Sequence, residues 1–319
     1  MFKFKTPSQQ TRKIMSEVAL GNIEDNFEEK CEEKIKDLTS HEFAKVTSSG
    51  NNSIFIALSS VEGDVIVPDQ GGWHGFKQIA KFLNKNLITV KTDDGLINPN
   101  YLDELEINEN SALIFTSFAG YCAEQDTKSI SKYCKNNNIT TIEDASAGIG
   151  DKKHVLGNGR YSDIILASTG SPKIINVGSG GFISTNNDEI FKSTSLPQKL
   201  SKTSNIISSG ICLELDNVEK NLEVTLNATE HLKKYIPNTL HSKKRGVNII
   251  IPNDNAKEIS WNLKKTLTTD KSGFITTCPN YNRVKQKAIC LEIKNLDYNC
   301  LKKEHLNKII ENLKINNLL

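Results

Sequence analysis

A lysine, an aspartate and a Ser/Gly/Asn turn stand at the ends of apolar runs in this chain, and each has a definite chemistry. In LASTGSPK, Ser168 stands at the end of the apolar run DIILAST (163–169) and Lys173 just past it. A lysine shielded from water by its neighbours loses proton affinity and becomes a nucleophile able to form a Schiff base with a carbonyl. The same lysine in solvent is an ordinary surface charge. In IEDASAG, Asp144 closes the run ITTIED (139–144), where a carboxylate either faces a protonated ring nitrogen or caps the helix that follows. SSGNN, residues 48–52, joins a β-type run to a helix start. The free N–H groups and positive dipole end of a first helical turn suit a phosphate, although a Ser/Asn-rich cap needs no ligand. The loop DQGGWHGF sets Trp73 and His74 among three glycines; the indole there either stacks on a planar ligand or packs as plain core.

The elements that must position these residues alternate. VIVP (65–68), LITVKT (87–92), ALIFTSF (112–118), ITTIED and DIILAST are short and almost wholly apolar, as strands buried on both faces are. Helical patterns such as HGFKQIAKFL and TKSISKYCKNNN lie between them. A βα-wound, mostly parallel sheet over roughly residues 40–185 follows. Ahead of it, NFEEKCEEKIKDL places Phe27, Cys31, Ile35 and Leu38 on one helical face, and residues 1–22 read as an arm with little periodicity. Past residue 200 the pattern changes to a long helix stopped by Pro237, then VNIIIP, GFITTCP and KAICLEIK as strands, with helices around EISWNLKKTL and EHLNKIIENLK. This predicts a compact α+β lobe.

Composition excludes several function classes. The 319 residues are 37% hydrophobic, and 40 Lys+Arg against 38 Asp+Glu leave a formal charge of +2. A dedicated nucleic-acid or membrane-surface protein would carry a clear basic excess. The seven cysteines form no CxxC and have no histidines at zinc spacing, so no metal is expected. No apolar run approaches the ~18 residues of a membrane span. A soluble, reduced, cytoplasmic protein is expected. Only four residues are arginine (Arg12, Arg160, Arg245 and Arg283), which limits where a bidentate carboxylate clamp could stand.

Taken in order, these features resemble the pyridoxal-phosphate enzymes of the aspartate-aminotransferase fold type, and more narrowly the DegT/DnrJ/EryC1/StrS sugar-aminotransferase family. The segments that carry the resemblance are GNIEDNFEEKCEEKI, SSGNNSIFIAL, GDVIVPDQGGW, TIEDASAGIG and DIILASTGSPKIINVGSGGFIST, spanning about residues 15–190. Lys173 stands 29 positions beyond Asp144. The resemblance implies a fold type I architecture: an N-terminal arm (1–22), a large cofactor-binding domain with a three-layer mostly parallel sheet (23–205), and an interdomain helix with a small C-terminal α+β domain (206–319). It implies pyridoxal 5′-phosphate as cofactor, with Lys173 as the lysine that bonds it and Asp144 as the acid that keeps its ring nitrogen protonated. Ser168, Gly50 and Asn51 would hold its phosphate, Trp73 would stack on its ring, and Asn205 would reach the phosphate of a neighbouring subunit. A homodimer with the active site at its interface follows.

Two departures stand out: Ala147 occupies the place of a glutamine that supports the cofactor's phenolic oxygen, and GEGG has become GSGG, with Ser179 for the acid. The chain is also short in its C-terminal part. These changes leave Lys173 and Asp144 in place and bear on the acceptor, for which a nucleotide sugar is the family's precedent. The expected activity is transfer of an amino group from an amino acid to a keto acceptor. Arg283, followed by Arg245 and Arg160, is the candidate for the donor's carboxylate, and His74 a group near the ring. The alternatives are a lyase or sulfur-handling enzyme using Cys278 or Cys122, a regulatory relative that keeps the fold, and a plain nucleotide-binding protein, which lacks the glycine motifs it would need.

Overall fold

A computed structural model describes residues 1–280 and 283–318. Seven strands, β1 (Phe43–Thr47), β2 (Val65–Pro68), β3 (Leu87–Val90), β4 (Ala112–Thr116), β5 (Thr140–Asp144), β6 (Ile164–Ser168) and β7 (Gly181–Thr185), form one sheet in the order β1-β7-β6-β5-β4-β2-β3. The run from β3 to β6 is parallel, and β7 is antiparallel to both β6 and β1. Six strands therefore end on one edge, and β7 begins there with Gly181 between Thr47 and Ser168.

Period-two alternation explains the apolar runs. On β6, Ile165 and Ala167 face a core shared with Phe27, Ile35 and Ile211, while Ile164 and Leu166 face a second core with Ile54, Leu58 and Phe76. The first layer is built by α2 (Phe27–Thr39), and the second by α3 (Gly50–Ser59) and α4 (His74–Phe82); α5 (Thr127–Asn136) covers a third cluster around Phe115 and Ile130. The sequence pattern predicts the parallel run and these helices; the reversal at β7 is a finding of the structure.

The arm differs from expectation. It contains α1 (Gln9–Ala19), whose N-cap Ser8 accepts a hydrogen bond from the Thr11 N–H. Its inward face holds buried Thr11 and just three apolar residues, Ile14, Met15 and Val18, which pack against the first core. So few apolar positions give a weak periodic signal, and the helix gains its stability from tertiary packing on α6 (Asn205–Leu215).

The C-terminal lobe contains α7 (Val218–Lys233), β8 (Ile249–Pro252), α8 (Ala256–Thr266), β9 (Ile275–Cys278), β10 (Ala288–Leu291) and α9 (Lys303–Ile315). Its three strands pair antiparallel in the order β8-β10-β9. Ile249, Ile251, Ile289 and Leu291 face a core of the lobe's own with Leu263 and Ile309. The alternate residues Ile250, Ala288 and Cys290 pack instead on Cys122 and Ala123 of the turn after β4. That second face brings the lobe against the functional edge of the large sheet. The amino-terminal tail crosses to the lobe as well, with Phe2 N donating to Thr268 O (2.8 Å) and Lys5 N to Asn295 O (2.7 Å). Among the described residues no helix is long and apolar enough to cross a membrane.

Candidate active site

The strand ends bring the sequence-distant segments together. After β1, Ser49 caps α3 by accepting from the Asn52 N–H (3.2 Å). A side chain at Gly50 would place its Cβ 2.5 Å from Ser168 Cβ, and one at Gly181 would lie 2.7 Å from Gly50 N. Backbone therefore meets backbone at this point because both positions lack a Cβ. Ser168 N donates to Ser146 Oγ (2.8 Å), and the Ser168 hydroxyl accepts from Gly170 N (3.3 Å). Ser179, where the family has an acid, donates from Oγ to Ser48 O (3.4 Å), and Gly180 N reaches the same carbonyl (3.1 Å). The GSGG segment thus braces the 48–52 turn. Trp73 is half-buried beside it, its indole N–H donating to Asn51 Oδ1 (3.2 Å).

Strand pleating separates two adjacent acids on β5. Glu143 turns into the protein, where it accepts from Ser117 Oγ (2.5 Å), Ser162 Oγ (2.7 Å) and Gly157 N (2.9 Å). Burial raises its pKa despite those donors. Asp144 points the opposite way, to the functional edge, and is buried with one oxygen accepting from Ser146 N (3.0 Å).

Lys173 lies beyond β6 with its Nζ donating to the hydroxyl of Tyr121 (3.3 Å). Tyr121 belongs to the turn after β4 and has a left-handed backbone (φ +64°). Its carbonyl accepts from both Val247 N (2.8 Å) and Asn248 N (2.9 Å), so the C-terminal lobe holds this turn. Over the Tyr121 ring sit Arg283 Cζ (4.3 Å from the centroid), Lys294 Nζ (4.8 Å) and Lys173 Nζ (5.5 Å). Glu292, buried, accepts from Arg283 Nη2 at 2.9 and 3.1 Å and from Asn248 Nδ2 at 2.5 Å, with Lys294 Nζ 3.6 Å away.

The electrostatics follow from these neighbours. Burial opposes ionisation of Glu292, but Arg283 and Lys294 bring its pKa down to about 2. Burial lowers the pKa of Lys294, with Glu292 opposing and Arg283 and Lys173 adding to the fall. For Lys173, burial and Arg283 act downward, yet Tyr121 and Asp144 outweigh them and raise its pKa. For Tyr121, burial acts upward, and Lys173, Lys294 and Arg283 outweigh it and lower the phenol's pKa.

The structure thus unites Lys173 with Asp144 and Arg283, and Gly50 with Ser168 and the Asn51–Trp73 pair. It separates the rest. His74 is exposed at the start of α4, and no contact among the described residues joins it to Lys173. Arg245 is committed to Asp151 (2.7 Å) and Glu124 (2.6 Å), away from the edge. Asn205 is engaged within its own chain, accepting from Phe27 N (3.0 Å) and donating to Asp25 O (2.9 Å). Ala147 is buried. Cys122 and Cys278 are buried thiols whose pKa values burial pushes up to about 12 and about 11. Sequence reasoning missed Tyr121, Glu292 and Lys294. The only signal was an acid and a base two positions apart just after the apolar run of KAICLEIK.

The large-sheet part matches a family model. Residues 8–205 fit that of the DegT/DnrJ/EryC1/StrS aminotransferase family. The chain belongs to that family. Residues 219–314 match the MJ1341 family C-terminal domain. Among solved structures, the chain is similar to NtdA from Bacillus subtilis with bound cofactor PMP (TM-score 0.72, 16% identity, 97% of this chain and 82% of that one). It is similar also to a DegT DnrJ EryC1 StrS aminotransferase from Brucella abortus (TM-score 0.75, 14% identity, 96% and 94%). A NifS-like protein from Rickettsia africae shares the fold (TM-score 0.70, 16% identity, 100% of each). As a member of the DegT family the chain is an aminotransferase-like enzyme of fold type I that uses pyridoxal 5′-phosphate. The site's own chemistry fits that group: a helix N-terminus opened by Gly50 and Gly181 for an anion, an acid for a ring nitrogen, and a lysine beside that acid.

Proposed function

We propose that Lys173 is the catalytic lysine of an amino-group transfer between an amino acid and a keto acceptor. The observation that carries this reading is that half-buried Lys173 and buried Asp144 lie together at the carboxyl edge of the sheet, near enough for the carboxylate to raise the lysine's pKa. Gly50, Asn51 and Ser168 would hold the cofactor's phosphate at the α3 N-terminus, Trp73 would flank its ring, and Asp144 would face its ring nitrogen. Bound there, pyridoxal phosphate supplies an electron-accepting ring that stabilises negative charge on a substrate carbon.

The chain's residues supply the rest. Asp144 offers a fixed negative charge, already oriented by the Ser146 N–H before any reaction begins. Lys173 Nζ, when neutral, moves the substrate's α-proton as general base and then general acid. Arg283 contributes positive charge for a donor carboxylate, oriented by its bonds to Glu292. The raised thiol pKa values of Cys122 and Cys278 favour amino transfer over sulfur chemistry, which needs a thiolate. The acceptor is a small keto compound, with a nucleotide sugar as the family's precedent.

A homodimer is part of the proposal, and exposed Leu196 and Leu200 near α3 are apolar surface that a second copy would cover. A role for Asn205 across that interface requires it to release Asp25 and Phe27. The seven free, buried thiols agree with a reducing, cytoplasmic setting.

The test is spectroscopic. The purified protein should show a visible absorbance band with pyridoxal phosphate that is absent in Lys173→Ala, and an amino-acid donor such as glutamate should bleach it. A protein that stays colourless with added cofactor overturns the reading. Sulfur release from cysteine, lost in Cys278→Ala, would overturn the choice of amino transfer. Sedimentation reads the dimer.

A further inference from the structure

Tyr121 is a buried titratable group that the function above does not use. Three features set it apart from a packing tyrosine. Its hydroxyl is the hydrogen-bond acceptor for Lys173 Nζ. Three cations surround its ring, two of them brought by the C-terminal lobe. Its backbone is held at φ +64°, a left-handed conformation that a residue with a Cβ seldom adopts and that persists because Val247 and Asn248 both bind its carbonyl. Strain maintained by a second lobe, at a position whose side chain hydrogen-bonds the lysine, is what a positioning role requires.

The charges around the pair have a definite balance. Lys173, Arg283 and Lys294 face the phenol, with Asp144 on the Lys173 side and Glu292 bound to Arg283 and near Lys294. Three cations meet two carboxylates in a buried place, so a negative charge on the phenol oxygen would complete the set.

We propose that Tyr121 is the positioning residue for Lys173, holding its amine by the Nζ–hydroxyl hydrogen bond and exchanging one proton with it. The proton lies either on nitrogen, as ammonium beside phenolate, or on oxygen, as neutral amine beside phenol; no other bond changes. Tyr121 thereby favours the protonated lysine at rest and receives the proton when the neutral amine is needed. The role rests on the assignment of Lys173 made above and depends on no other residue of the cradle. It supplies an oxygen beside the lysine in a chain where Ala147 has no polar atom to offer.

Two measurements on the full-length chain test it. In the first, the cofactor-free protein captures added pyridoxal phosphate, and the capture rate against pH reports the Lys173 amine, because only the neutral amine reacts. Tyr121→Phe should move that profile to lower pH by roughly one to three units, the size expected when a neighbouring opposite charge is removed. In the second, ultraviolet titration of the tyrosines should show one phenol ionising ahead of the others, and Tyr121→Phe should remove it. An unmoved capture profile overturns the proposal, and so does a titration in which no early phenol is lost. Should Tyr121→Phe fail to fold, Lys294→Met keeps the phenol and removes one cation facing it. The early phenol should then titrate at higher pH, and an unchanged titration overturns the proposal. If the parent chain captures no cofactor at any pH, the assignment of Lys173 fails, and the ultraviolet titration still decides whether the pair exchanges a proton.

Discussion

On one side of Lys173 the site is made from strand ends of a single sheet, and on the other from a separate lobe. The first side, Gly50, Asn51, Trp73 and Ser168, is part-exposed around the turn, neutral and held mostly by bonds to backbone. The second, Tyr121, Arg283, Glu292 and Lys294, is buried, charged and held by side chains that satisfy one another. The contrast shows two ways of presenting charge to a ligand. A helix N-terminus offers partial charge without taking an ion out of water. A buried ionic set is stronger but pays desolvation for every member, and it stands only while complete.

The largest effect expected is at the point where the two sides meet. Lys173→Ala should lower the rate of amino transfer by ~10⁴-fold or more, the upper range for a positioned general base and acid. Denaturation should show little change, because without the lysine Tyr121 keeps its proton and Glu292 keeps its bonds to Arg283. A residual rate within tenfold of the parent would mean that another amine serves.

Breaking the charged side should cost stability first. Glu292→Gln leaves Arg283 and Lys294 buried without a carboxylate, and removing one partner of such a set typically costs ~3–5 kcal/mol, read by urea unfolding at neutral pH. The pH dependence has a definite sign. The Glu292 pKa falls from 4.5 to about 2 on folding, so its contribution is fully present above 4.5 and is lost as pH drops through about 2. The parent should weaken across that window more steeply than Glu292→Gln. Equal slopes would show that the ionic set does not stabilise the fold.

Asp144→Asn sharpens the same comparison at the sheet edge. It should lower turnover by ~10²–10³-fold, the scale of losing one preorganised electrostatic group, and leave cofactor capture intact. Because Asp144 helps raise the Lys173 pKa, the capture profile should also move to lower pH. A variant whose turnover matches the parent would remove Asp144 from the mechanism.

How much of this the sequence shows follows the same division. Gly50, Asp144, Ser168 and Lys173 each lie within a few residues of an apolar run, so local pattern places them on a strand end, and one parallel sheet carries all four to one edge. Tyr121, Glu292 and Lys294 gain their meaning only when the β8 and β10 face packs on Cys122 and Ala123, a contact between segments more than a hundred positions apart that no periodicity records. Arg283 was singled out for its type alone; its commitment to Glu292 is a tertiary fact. Helix α1 was missed because three inward apolar residues carry little pattern, and the direction of β7 because an apolar run reads the same both ways.

The smallest effect probes the uncharged side, where two glycines flank Ser168 and only one is packed against it. A Cβ at Gly50 would meet Ser168 Cβ at 2.5 Å and Cα at 2.9 Å, backbone that cannot turn aside, whereas one at Gly170 meets only the Ser168 hydroxyl at 3.5 Å, an ordinary contact. Gly50→Ala should therefore destabilise by ~1–3 kcal/mol, the usual cost of overpacking, and weaken cofactor retention because α3 must shift away from Ser168. Gly170→Ala should keep both within about 0.5 kcal/mol of the parent, as substitutions away from such features do. Equilibrium unfolding and cofactor dissociation of the two variants compare them directly. If both glycines tolerate alanine alike, the close approach of α3 to β6 is not what shapes the anion site, and the cradle side of the comparison fails while the charged side stands.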